Sequence, residues 1–268
     1  MPSRRVPLIE LLRIAYPSKP DNELLALIMR GDVRVDGEAA EKPGARVDSR
    51  SRISLRERSP YVSRGGEKLA YALETWKVDC ARMAWLDAGC STGGFTDCLL
   101  MRGASFVHAV DVGTNQLDWR IRTDARVLVR EGTNVMDLRA GDLDPPPQRA
   151  VADLSFRSLR GAASHVLGLT DEGWGIFLVK PQFEWARPSR EFRGVVRDPR
   201  TMVSIARELV EALASEELSL EKAVLSPIRG RKGNRELFFL LRAGKERTGD
   251  ISSEDIEKII LDGWGGQV

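Results

Sequence analysis

Asp87-Ala88-Gly89-Cys90-Ser91-Thr92-Gly93-Gly94-Phe95-Thr96 has the residue types and spacing to hold a small ligand. An apolar run, Met83 to Leu86, leads into the carboxylate, a glycine-rich turn follows, and a helical pattern opens at Phe95. Glycines let a ligand approach the backbone, and the first-turn N–H groups of a helix are unpaired donors. Asp111, 22 residues past Gly89, ends a second apolar run, Ser105 to Val110. A carboxylate there can accept hydrogen bonds from a ribose diol. The dinucleotide fingerprint G-x-G-x-x-G is not met, because Ser91 stands where the glycine admitting a pyrophosphate is needed. S-adenosylmethionine has no phosphate and fits D-x-G-x-x-x-G-G better. The expected cofactor contacts are Asp87, Gly89, Ser91, Thr92, Gly93, Gly94, Asp111, Val112, Asn134 and Asp153. An ordinary tight turn between strand and helix is the plain alternative.

These residues need a parallel sheet to position them. Arg126 to Val129 reads as a third strand, and the following loop, Glu131 to Val135, suits an adenine. Ala150-Val151-Ala152 ends in Asp153, and Gly173 to Val179 ends in Lys180. Both are short apolar runs of the buried parallel type. Ligand crevices in such sheets lie at the carboxyl ends of the strands, so Asp87, Asp111, Asp153 and Lys180 should share one edge. A helix over Thr201 to Ser215 and a strand around Ala223 to Ser226 follow. The basic loop Arg229 to Asn234 then leads to a last strand, Glu236 to Leu241. If that strand runs antiparallel, Glu236 begins at the same edge and points at Lys180. Lys68 lies in the first turn of a helix opened by Ser63, where the dipole disfavours a cation. It is therefore either solvated or held by a distant carboxylate.

Length and composition set the frame. At 268 residues the chain has room for one α/β domain and a small appendage. No apolar run of about 18 residues exists to span a membrane, and the N-terminus lacks a secretory core. Cys80, Cys90 and Cys98 form no C-x-x-C pair, which suits a reducing cytoplasm. With two histidines only, His108 and His165, a His-based zinc site or catalytic triad is not expected. The net charge of +2 is uneven: residues 1–58 carry 12 Lys and Arg against 9 Asp and Glu, which leaves −1 for the rest. That excess favours a nucleic-acid partner weakly over a solvated mixed surface.

The first 58 residues read as two short helices, with apolar positions Leu8 to Ile14 and Leu24 to Met29, then strands. Val33-Arg34-Val35-Asp36-Gly37 signals a hairpin turn. Two helices feeding G-x-V-x-V-D-G resemble the small RNA-binding module of a ribosomal small-subunit protein. That resemblance implies that Arg4, Arg5, Arg30 and Arg34 meet phosphates on its helical face. Asp32 and the Pro17 to Pro20 junction depart from the pattern.

Six motifs in order carry a wider resemblance: Ser63-Arg64-Gly65, Asp87-Ala88-Gly89, Ser91 to Thr96, Ala152 to Phe156, Val179 to Glu184, and Gly233-Asn234-x-Glu236. Together they resemble the TlyA-type ribosomal RNA 2′-O-methyltransferases, also known as hemolysins, over nearly the whole chain. The resemblance implies an α/β, Rossmann-like class I methyltransferase sheet of the FtsJ type, mostly parallel with the last strand antiparallel. It implies an RNA-binding domain over residues 1–58, a linker over 59–64, the methyltransferase domain over 65–246 and a tail helix over 247–268. The family tetrad falls on Lys68, Asp153, Lys180 and Glu236. RNA contacts are also expected from Arg64, Arg229, Arg231 and Lys232. Ribosomal RNA is the implied partner of a cytoplasmic monomer, with no metal required.

A ribose hydroxyl is a poor nucleophile until its proton is removed or steered aside. An amine removes a proton only when neutral, so Lys180 as a base needs burial and a cationic neighbour, Lys68 or the sulfonium. Lys180 as a base and Lys180 as a positioning group both stay open. Asp153 and Glu236 hold the ammoniums in place. Phe156 and Phe183 could stack a base or simply pack. An RNA-binding or ribosome-assembly factor without transfer is the rival class. A lytic protein would need an amphipathic or apolar segment that the sequence does not offer.

Overall fold

The computed structural model describes residues 4–40, 42–56, 59–188, 191–244 and 251–265. The chain divides into two units, one up to Pro60 and one from Tyr61 onward.

The N-terminal unit contains β1 (Arg5–Pro7), α1 (Leu8–Ala15), α2 (Asp21–Met29), β2 (Val33–Val35), β3 (Glu38–Ala39), β4 (Arg46–Asp48) and β5 (Ile53–Leu55). Leu8, Leu12, Leu24, Ile28 and Val33 are fully buried and form its core. Asp36 and Gly37 both take positive φ, 51° and 92°, which turns β2 back on β3 as the Asp-Gly signal predicts. The sequence gives no sign of β1 pairing with β4, a separate two-stranded ribbon.

The second unit is a seven-stranded sheet with helices on both faces. Its elements are α3 (Arg64–Trp76), β6 (Ala84–Ala88), α4 (Gly94–Met101), β7 (Phe106–Asp111), α5 (Trp119–Arg122), β8 (Val127–Glu131), β9 (Arg149–Ala152) and α6 (Ala162–Gly168). They continue through β10 (Trp174–Val179), α7 (Pro181–Glu184), α8 (Pro199–Ser215), β11 (Leu218–Leu225), β12 (Leu237–Ala243) and α9 (Ser253–Trp264). The strand order is β11-β12-β10-β9-β6-β7-β8. Only β12 runs against its neighbours, pairing antiparallel with both β10 and β11. One core cluster packs α3, α4 and α5 on one face, with Trp85, Leu99 and Phe238 fully buried. The other packs α6, α8 and α9 on the opposite face around Phe177 and Phe239.

Helix starts follow the local chemistry. Ser63 caps α3 by accepting from the Gly65 N–H at 3.3 Å, and Asp198 caps α8 ahead of Pro199 by accepting from Thr201 N–H at 2.8 Å. Ser252 and Asp255 form the capping box of α9, whose Ile256 and Ile260 are fully buried.

The stretch expected as a linker behaves differently at its end. Tyr61 and Val62 pack on the core beside α4, and Val62 N–H donates to Asp97 Oδ2 at 2.8 Å. Apolar side chains beside the linker charges are the reason. The expected bounds at 58 and 246, and the start of the tail, lie outside the described residues.

Candidate active site

Parallel register aligns the strand ends. Ala88 pairs with Val110 on one side and Ala152 on the other, while Val179 pairs with Leu237. The next residues along, Gly89, Asp111, Asp153 and Lys180, therefore emerge at one rim, and Glu236 enters the sheet there because β12 is antiparallel. A cleft of about 820 Å³ opens at this rim. Lys68, Asp153, Lys180 and Glu236 all line it.

Two ion pairs occupy the cleft. Lys68 Nζ lies 2.6 Å from Glu236 Oε2, both side chains being nearly buried. Lys68 sits on the fifth residue of α3, past the first turn, and a carboxylate from the far end of the chain holds it. Burial pushes the Glu236 carboxyl up, against the pull of Lys68. Gly230 makes room for this carboxylate: a Cβ there would lie 2.2 Å from Glu236 Oε1. In the second pair Lys180 Nζ lies 2.6 Å from Asp153 Oδ1 and donates to Ser155 Oγ at 2.8 Å.

The other side of the cleft is built around the glycine-rich turn. Gly89 has φ +86°, and a Cβ on it would meet the Asp153 carbonyl at 2.8 Å. Ser91, Thr92, Gly94, Asp111, Val112 and Asn134 line the cleft. Asp111 accepts from Ser91 N–H at 2.8 Å and Gly113 N–H at 2.7 Å. A carboxylate offers about four lone-pair sites, so acceptor capacity remains for a diol. Glu131 organises the neighbouring loop, accepting from Asn115, Gln116 and Leu117 N–H and pairing with Arg122 at 2.5 Å. The Arg122 guanidinium and these amides hold its carboxyl at about 2. The residues present fit S-adenosylmethionine. The close-approach turn, the Asp111 carboxylate, Val112 and Asn134 line one side of the same cleft, a set whose chemistry suits an amino acid, a ribose diol and an adenine.

Several expected contacts fall elsewhere. Asp87 does not line the cleft; it is fully buried in β6, where Thr96 Oγ1 donates to it at 2.6 Å. A residue inside a strand points into a sheet face rather than over the rim, and burial pushes this carboxyl up to about 7. Gly93 also lies off the cleft, where a Cβ would run into Leu117 at 2.8 Å. Arg229 turns back on the Gly233 carbonyl at 3.2 Å, closing its own loop. Arg231, Lys232 and Arg64 line the cleft and are exposed. In the N-terminal unit, Arg4, Arg5 and Arg30 are exposed and Arg34 half-buried. They do not form one helical face: Arg5 is in β1, Arg34 in β2, and Arg30 at the end of α2 pairs with buried Asp32 at 3.3 Å.

Arg157, Gln116, Ser155 and Asn234 also line the cleft, although their residue types do not by themselves mark a site. Asn234 ties the loop after α7 to the start of β12, accepting from Val196 N–H at 2.8 Å and donating to the Gly194 carbonyl at 2.7 Å. Its place in Gly-Asn-x-Glu is the only sequence signal. Phe156 is 91% exposed at the mouth, with its ring centroid 5.5 Å from that of Phe183. Cys90 lines the cleft and is nearly buried, and burial pushes its thiol up. Among the described residues no cluster of His, Cys, Asp and Glu is placed to hold a metal.

The doubly covered sheet with one reversed strand, and the cleft at its strand ends, define a class I methyltransferase. Residues 61–243 match the FtsJ-like methyltransferase family, and the chain belongs to it. It is 39% identical over 242 residues to the 16S/23S rRNA (cytidine-2′-O)-methyltransferase TlyA of Mycobacterium tuberculosis, covering 87% of this chain and 88% of that protein. It is 34% identical over 212 residues to Hemolysin A of Brachyspira hyodysenteriae, covering 78% of this chain and 88% of that one. A solved structure from Streptococcus thermophilus, named as a hemolysin, superposes with a TM-score of 0.73 at 32% identity, covering 98% of this chain and 97% of that one.

Proposed function

We propose that this enzyme transfers the methyl group of S-adenosylmethionine to a ribose 2′-hydroxyl of ribosomal RNA in the cytoplasm. The observation that carries this reading is the meeting of Lys68–Glu236 and Asp153–Lys180 in the cleft that also holds the glycine-rich turn. The relatives named as rRNA 2′-O-methyltransferases support the substrate class. No helix among the described residues is long and apolar enough to cross a membrane.

Gly89, Ser91, Thr92 and Gly94 hold the methionine end of the donor, Asp111 its ribose, and Val112 and Asn134 its adenine. When bound, the donor supplies an electrophilic methyl on a sulfonium. Lys180 meets the acceptor hydroxyl. Held by Asp153 and Ser155, it aligns the oxygen so that a lone pair faces the methyl. As the C–O bond forms the sulfonium C–S bond breaks, the neutral thioether departs, and the hydroxyl proton passes to the Asp153 carboxylate and on to water. Lys68 and Glu236, beside the Asp153–Lys180 pair, keep a positive and a negative group at set positions. Alignment of this kind is worth up to about 7–11 kcal/mol in well-oriented systems. Phe156 and Phe183 offer rings for the target base, and Arg64, Arg157, Arg231 and Lys232 offer cations for the flanking phosphates. The N-terminal unit adds Arg4, Arg5, Arg30 and Arg34 as further cations for RNA.

The test is transfer of labelled methyl from S-adenosylmethionine to purified ribosomal subunits, followed by mapping of the modified ribose. Label in RNA at a 2′-oxygen supports the proposal. Label on a base, or none, refutes it.

A further inference from the structure

Glu184 is a buried carboxylate with no part in the chemistry just described. It closes α7, four residues after Lys180, and is 2% exposed. One oxygen accepts from the Leu159 N–H at 2.8 Å, and the other accepts from Ser158 Oγ at 2.5 Å. The Arg160 guanidinium lies 3.4 Å from that second oxygen and donates to the Glu184 carbonyl at 3.0 Å. Burial pushes the carboxyl up, which is the cost of placing it there.

All three partners are consecutive residues of the segment that begins at Asp153. The near end of that segment is held by Lys180, through Asp153 and Ser155. The segment has no helix or strand before α6; besides the Asp153 N–H bond to the Ala88 carbonyl and the Gly161 N–H bond to Glu216, these two fastenings hold it. Between them Phe156 takes φ +61°, a conformation that non-glycine residues adopt only when their surroundings impose it. A buried carboxylate is an expensive way to pack a loop, because an apolar side chain would fill the space without desolvation. What it adds is directional hold.

We infer that Glu184 is a positioning residue for methyl transfer: by holding Ser158 to Arg160 against α7, it fixes Asp153 and Ser155 around Lys180 Nζ. The inference rests on the proposed methyl transfer to RNA.

It is tested by comparing Glu184→Gln and Ser158→Ala with the wild type. The readouts are kcat and KM for ribosomal RNA, S-adenosylmethionine affinity by calorimetry, thermal unfolding, and the pH profile of kcat. Glu184→Gln keeps an acceptor for Leu159 but loses the charge. The expected result is a kcat at least tenfold lower, with KM and cofactor affinity within threefold of wild type. Its pH profile should be displaced as the surroundings of Lys180 loosen. Ser158→Ala should show the same pattern at a few-fold, and it decides alone if Glu184→Gln does not fold. A kcat within twofold of wild type overturns the inference. So does a loss shared equally by cofactor affinity, which would mark a general scaffold role. If the wild type itself methylates no RNA, the proposed function falls first. An active wild type with active variants sinks only the role of Glu184.

Discussion

Lys68 Nζ and Glu236 Oε2 meet at 2.6 Å although 168 residues separate them in sequence. Their side chains are 10% and 5% exposed, so the pair ties α3 to the start of β12 almost out of water. Burying two charges costs several kcal/mol per ion, and the attraction offsets this only while both partners are present.

Removing one partner should therefore be worse than removing both. Glu236→Ala should destabilise the fold by about 3–5 kcal/mol, because Lys68 is left buried and uncompensated. The double variant Lys68→Met with Glu236→Leu should recover most of that stability while methyl transfer stays abolished. Denaturant unfolding and a transfer assay on the same preparations check this. A double variant no more stable than the single one would contradict it.

Gly89 stands where the backbone comes closest to the Asp153 loop, with φ +86° and 2.8 Å from a hypothetical Cβ to the Asp153 carbonyl. Gly89→Ala should lower S-adenosylmethionine affinity at least tenfold, about 1.4 kcal/mol, by calorimetry. Asp111→Ala should do likewise through loss of the ribose acceptor. Unchanged affinity in both would move the cofactor elsewhere.

The pH response of stability should report on Asp87. With its carboxyl pushed up to about 7, the folded protein holds a proton that the unfolded chain releases near pH 4. The folded state thus binds more protons across that window, and the stability this contributes is present at low pH and lost as pH rises towards 7. Three units correspond to about 4 kcal/mol as a ceiling. Asp87→Asn cannot titrate, so its stability relative to wild type should improve between pH 4.5 and pH 8 in chemical unfolding. A relative loss over that range would contradict the assignment.

Phe156 presents its ring at the mouth rather than to the core. Phe156→Ala should leave unfolding within about 0.5 kcal/mol of wild type. It should weaken productive binding of RNA by about 1–3 kcal/mol, the worth of one stacked base, with cofactor affinity unaffected. Steady-state kinetics with ribosomal subunits separates these effects.

Much of the site was legible because parallel strands place their carboxyl ends on one rim. Asp111, Asp153 and Lys180 could be put together from apolar runs that each end in a charge. Lys68 stood out as a cation near a helix start with no local partner, and only the reversal of β12 supplied one. The limits have equally physical causes. Asp87 and Gly93 have the residue types of a cofactor loop, but strand direction and contact with Leu117 turn them away from the cleft. Arg229 satisfies its own turn, which charge alone does not reveal. The holds made by Glu184, Ser155 and Asn234 run between loops, where no periodicity links the partners.

The most direct measurement is methylation of purified ribosomal subunits by wild type and Lys180→Ala, alongside calorimetry with S-adenosylmethionine. The account predicts that the substitution abolishes 2′-O-methylation while cofactor affinity stays within a few-fold. Transfer near the wild-type rate by Lys180→Ala would contradict it.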